Sequence, residues 1–197
     1  MDRPAVVCPI RDGTMDRRSR KTRAQLTFAM VQLLQEHAWE DISVRHICDA
    51  ADVARSTFYL HFASKVELLD YGFRFLKEEL KAAPRTRSLD ADGRFGCLPE
   101  ILRAMTSPGH AFLFSGKGRS EMTNVARAKL LGVIETLLEE ELRASNRFQN
   151  LPTLEIAFLA AGVFGVVAGV HDSRISGEMP LLLEQLDATI SGILNRP

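Results

Sequence analysis

Excess charge of either sign is missing from this chain. Its 197 residues hold 25 Lys and Arg against 25 Asp and Glu. A protein that gathers nucleic acid by bulk charge is therefore excluded, and any such affinity must be local. Cysteine is scarce as well. Cys8, Cys48 and Cys97 are odd in number, widely separated and form no CxxC pair. That excludes a disulfide framework and leaves free thiols in a reducing compartment. Cys48 beside His46 has no second pair to complete a zinc site, so no metal is expected. The N-terminus has arginines and acids but no apolar core of a secretory signal, which predicts a cytoplasmic protein. Gly116-Lys117 lacks both the preceding glycine and the lead-in strand of a phosphate loop. His110 and His171-Asp172 stand without a nucleophile elbow or metal spacing, so no catalytic residue, enzymatic activity or cofactor is expected.

What remains is an ordinary globular composition with helical periodicity and no strand signal. Arg17, Arg18, Arg20, Lys21 and Arg23 form a local basic cluster, while Glu135 and residues 139–141 make a distant acidic stretch. The informative segment is 43–62, SVRHICDAADVARSTFYLHF. Val44, Ile47 and Ala51 recur at helical spacing, so a short amphipathic helix starts at Ser43. A turn at Ala51-Asp52-Val53 follows, and Asp52 is placed to tolerate a positive φ. The next helix carries Phe58 and Phe62 four residues apart on one face. Arg55, Ser56, Thr57, Tyr59 and His61 are left for the other. Two short helices joined by a tight turn make a helix-turn-helix, whose second helix can enter the DNA major groove. The outward face offers a guanidinium, hydroxyls, a phenol and an imidazole, all groups that reach phosphates or base edges.

This stretch resembles the DNA-binding domain of the TetR family of transcriptional repressors. The matching residues are Val53, Thr57-Phe58-Tyr59, His61-Phe62 and Ser64-Lys65-Val66-Glu67-Leu68-Leu69, with a long amphipathic helix upstream. Asp52 replaces the family's usual turn glycine, and Ala54 replaces a capping residue. The resemblance implies that Arg45 reaches the groove from the helix before the turn. It places Arg55, Ser56 and Thr57 on bases, and Tyr59, His61 and Lys65 on phosphate or sugar. Ser43 and Thr22 join this DNA-contacting set, Thr22 from the start of the first helix, where free N–H groups suit a phosphate.

An all-α fold is expected: an N-terminal three-helix helix-turn-helix domain and a C-terminal helical dimerisation and ligand domain, with about nine helices in all. Residues 1–16 read as a flexible arm, 17–64 as the DNA-binding domain, 65–83 as a linking helix opened by a Ser64-x-x-Glu67 capping box, and 84–197 as the C-terminal domain. Helices are placed at 17–37, 92–105, 110–115, 120–145, 153–171 and 180–194, besides those of the motif and the linker. The run 156–170 is uncharged and carries Gly165-x-x-x-Gly169, yet is shorter than the roughly 20 residues of a membrane span. A helix apolar on every side is more simply sandwiched between its own domain and a partner subunit. In the TetR family the last two long helices form the dimer interface. Gly162, Gly165, Ala168, Gly169, Leu183, Leu186 and Ile190 occupy that place here. The resemblance further implies a double-stranded, palindromic operator and release by a small effector. Met105, Phe112, Phe114, Met122 and Phe158 are candidates to line an apolar effector pocket. The competing reading is a helical ligand-binding or membrane-associated adaptor that binds no DNA.

Overall fold

The computed structural model describes residues 17–85, 89, 93–107, 110, 114, 121–145 and 153–195. Among these residues the regular elements are all helical. They are α1 (Arg17–Glu36), a 3₁₀ turn (Trp39–Asp41), α2 (Val44–Ala51), α3 (Arg55–His61), α4 (Lys65–Ala82), α5 (Leu98–Met105), α6 (Glu121–Ala144), α7 (Thr153–His171) and α8 (Met179–Leu194). The N-terminal arm, Cys8, Phe112 and most of the helix expected at 110–115 lie outside the described residues. The chain forms two compact units, Met1–Ala82 and Ala83–Pro197.

In the first unit, α1 buries Leu26, Ala29, Met30 and Leu34. Their spacing of three or four residues draws one stripe along the helix, which packs on α2, α3 and α4. Trp39 and Ile42 are buried in the connection that follows, as their position between two helices predicts. Phe58 and Phe62, at 0% and 2% exposure, hold α3 to this core.

In the second unit, α6 runs along α7 and α5 packs against α8. The helix expected to start near residue 92 begins instead at Leu98. Gly93 adopts φ 84°, outside the helical region, and the N–H groups of Gly96 and Cys97 point to a side chain rather than up a helix. That side chain is Glu141, whose carboxylate accepts from Gly96 N at 2.6 Å and Cys97 N at 3.0 Å. Arg85 Nη1 stands 3.3 Å from the same carboxylate. Glu141 is thus buried and caps α5, unlike its neighbours in the acidic stretch. Burial and this carboxylate push the Cys97 thiol far above its ordinary range.

The far end of α5 is closed by two imidazoles. His110 Nδ1 lies 2.9 Å from Ala104 O and His171 Nε2 2.7 Å from Met105 O, and a carbonyl can only accept. The His171 ring stacks on Phe114 with centroids 4.7 Å apart. Met105 and Phe114 are therefore core residues, and Met122 is half-buried.

Several C-terminal side chains fall elsewhere than expected. Phe158 is 63% exposed, on the outer and not the inner face of α7. Gly169 packs inward: a Cβ there would meet Ile175 Cδ1 at 2.6 Å, so this glycine admits the turn after α7, not a second subunit. Leu186 and Ile190 are buried within their own unit, while Leu183 and Ala168 are half-buried. Gly162 and Gly165 do face outward with open space beside them. With Leu154, Phe158 and Ala161 they make a continuous exposed apolar stripe on α7. At 19 residues α7 is longer than the uncharged run alone, and by length and composition it could cross a membrane.

Candidate nucleic-acid interface

The site is built from α2, its turn and α3. Ser43 caps α2: its Oγ accepts from His46 N at 3.1 Å, and its own N–H lies 3.3 Å from His46 Nδ1. This is a reciprocal capping box in which an imidazole does what a glutamate usually does. The same Nδ1 lies 3.1 Å from Asp41 O. At the other end of α2, Asp52 takes φ 54° and ψ 48°, as the turn requires. Asp52 N donates to Asp49 O at 3.3 Å and Val53 N to Cys48 O at 3.0 Å. This pair of bonds is a Schellman ending, which orients the chain into α3. Ala54 supplies no side-chain cap to α3, as its methyl dictates.

What fixes α3 is its aromatic side. Phe58 and Phe62 lie 5.9 Å apart, Phe62 meets Tyr71 of α4 at 5.4 Å, and Arg23 of α1 lies 5.2 Å from the Phe62 centroid. Arg23 is thus absorbed into the core rim, although it sits in the basic cluster by sequence. On the opposite side Arg55, Ser56 and Tyr59 are exposed, and Thr57 is half-buried. Arg45 on α2 is exposed with Asp49 at 3.6 Å. His61 is half-buried with Nδ1 3.4 Å from Ser19 Oγ; burial and the Arg23 charge hold its pKa below the ordinary value. Thr22 Oγ1 donates to Arg18 O at 3.2 Å, which turns the hydroxyl proton into its own helix.

Lys65 departs from its expected role. Its Nζ donates to Trp39 O at 2.6 Å and Ile42 O at 2.7 Å, and lies 4.4 Å from the Trp39 centroid. Desolvation lowers its pKa, against the pull of Glu40 and Asp41. This ammonium ties the start of α4 to the loop before α2 and has little left to offer a phosphate. The expected capping box beside it is also modified. Ser64 Oγ accepts from Glu67 N at 3.3 Å, but the Glu67 carboxylate accepts from Ala63 N at 2.6 Å, one residue before the cap.

One outward residue escaped the sequence reading. Leu60 is 81% exposed on α3, an apolar side chain on a face whose sequence signal is polar. The signal was available: Leu60 lies two residues after Phe58, about 200° around the helix from the buried face.

Residues 29–71 match the family model described as bacterial regulatory proteins, tetR family. The first unit carries a TetR-family DNA-binding domain. The match spans all of the α2–turn–α3 motif, so DNA-binding transcriptional regulation follows from it. None of the curated proteins searched matches the chain. Solved structures extend the likeness in fold over nearly the whole chain. The fatty acid degradation regulator FadR from Bacillus halodurans superposes with a TM-score of 0.62 at 21% identity, covering 89% of this chain and 97% of that one. A TetR transcriptional regulator from Streptococcus agalactiae gives 0.62 at 22%, covering 89% and 96%. A transcriptional regulator described as putative, from Pseudomonas aeruginosa, gives 0.61 at 17%, covering 95% and 96%. At these identities the likeness speaks for the TetR-type helical fold alone.

Proposed function

We propose that the protein is a cytoplasmic TetR-type repressor that binds an inverted-repeat operator as a homodimer and is released by a small apolar effector. The observation that carries this reading is the two-sided α3: Phe58 is sealed inside while Arg55, Ser56 and Tyr59 stand outside. Arg55 suits bidentate contact with guanine, and Ser56 and Thr57 adapt to neighbouring bases. Arg45 reaches the groove from α2, while Tyr59 and His61 position the duplex through its backbone, with Ser43 and Thr22 at the edges of the contact. Lys65 supports this surface from behind.

A monomer reads one half-site. The exposed stripe Leu154, Phe158, Ala161, Gly162 and Gly165 on α7 supplies a surface for a second copy, helped by Leu181 of α8 at 51% exposure. Two symmetric reading helices then match half-sites about 34–36 Å apart on one face of DNA. An effector that fits only one arrangement of the dimer competes with the operator through linkage. Met105, Phe114 and Met122 are the candidates that remain to line a site for an apolar effector.

The test is a gel shift on the DNA upstream of the protein's own gene, repeated across a salt series. A retarded band that fades as salt rises is expected. A protein that retards no duplex and dissolves only in detergent would instead favour the membrane-associated adaptor, the reading that the length of α7 supports.

A further inference from the structure

We infer that Leu60 is a base-reading residue that selects thymine through its 5-methyl group. The inference rests on the DNA-binding reading above and adds to it the chemistry of one contact. Leu60 is the most exposed large apolar side chain among the described residues. It lies one turn from exposed Ser56, and each is two residues from buried Phe58. Both therefore sit at the centre of the outward face of α3, about 200° from the sealed ring. Tyr59 and Arg55 flank them with polar atoms.

At 81% exposure Leu60 gives the fold almost no burial, so its apolar end is open to whatever meets this face. A leucine has no donor or acceptor and cannot hold a phosphate or a base edge by hydrogen bonding. In the major groove one base presents an apolar group, the thymine methyl, and a branched aliphatic side chain fits against it. Surrounding hydroxyls and a guanidinium then read the polar edges of neighbouring pairs. A protein partner is a weaker fit, because the apolar surface at this place is a single side chain ringed by polar groups.

The experiment begins with selection of bound duplexes from a randomised pool by the full-length protein. Each thymine of the enriched duplex is then replaced by deoxyuridine, symmetrically in both half-sites, which removes only the methyl. Affinity is read by fluorescence anisotropy for the wild type and for Leu60→Ala, with a thermal melt to confirm that the variant is folded. The wild type should lose about fourfold per half-site at one thymine position, the worth of one buried methyl. Leu60→Ala should bind the thymine and deoxyuridine duplexes equally well. Enriched duplexes for which no replacement separates the wild type from Leu60→Ala would overturn the assignment while leaving the regulator intact. Failure to enrich any duplex would sink the DNA-binding reading, and this contact with it.

Discussion

Helices α3 and α7 both show apolar side chains to the outside, and they do so for opposite reasons. In α3 the sealed and open faces differ in chemistry: Phe58 inside, Arg55, Ser56 and Tyr59 outside, with one leucine among them. In α7 both faces are made of the same residues, and Val163 is buried while Ala161 and Gly162 are exposed. Contrast between faces marks a surface that meets something polar. Uniformity suits a surface that meets another apolar one. A phenylalanine therefore carries different meaning in each helix, sealed in α3 and exposed in α7, and mutations at Phe58 and Phe158 should separate the two.

The largest effect is expected from Phe58→Ala. Removing a fully buried ring costs about 3–5 kcal/mol, enough to loosen α3 and abolish DNA binding. Amide exchange should show protection lost in the first unit; an unchanged pattern would break the comparison. Phe158→Glu should leave the melting of the subunit nearly intact yet convert a dimer to a monomer, read by light scattering coupled to size exclusion. A dimer that persists would move the interface off α7. Next comes a contrast between two cations. Arg55→Ala should cost about 1–3 kcal/mol of discrimination at one base pair with little effect on the melt. Lys65→Met should do the reverse: it strands the carbonyls of Trp39 and Ile42, costing about 1–3 kcal/mol of stability, with the salt slope of DNA binding unchanged. A salt slope lowered by about one unit would show instead that the ammonium reaches a phosphate.

The smallest effect concerns His61. Burial and Arg23 lower its folded pKa below the ordinary 6.5, so the unfolded chain takes up the proton first as pH falls. Stability should therefore decline on acidification, beginning near the ordinary value and ending at the lowered one. Thermal melts across that window check the sign, and His61→Gln should flatten the profile.

How far these features could be read in advance follows the same contrast. The helix-turn-helix was legible because Phe58 and Phe62 share a face and Asp52 tolerates φ 54°. The inward partners of Lys65 and Arg23 are not legible in advance, because a basic side chain looks solvated until its carbonyl or ring partners come from 20 or more residues away in sequence. Leu60 is legible only from its place on the helix, because polarity is the usual mark of a reading face. On α8, Leu186 and Ile190 could not be told from Leu181, since in an apolar helix composition does not say which side faces its own core. Glu141 looked like one of a run of exposed acids, and only the distant N–H groups of Gly96 and Cys97 single it out.

The imidazole in the first turn of α2 has a property that a carboxylate in its place would lack. One ring nitrogen of His46 lies 3.3 Å from an amide that can only give a proton and 3.1 Å from a carbonyl that can only take one. Bare, the nitrogen holds Ser43; carrying hydrogen, it holds Asp41. Either way the ring stays moored, so the entrance to the motif keeps one anchor through a change of tautomer that would cast off a less versatile group.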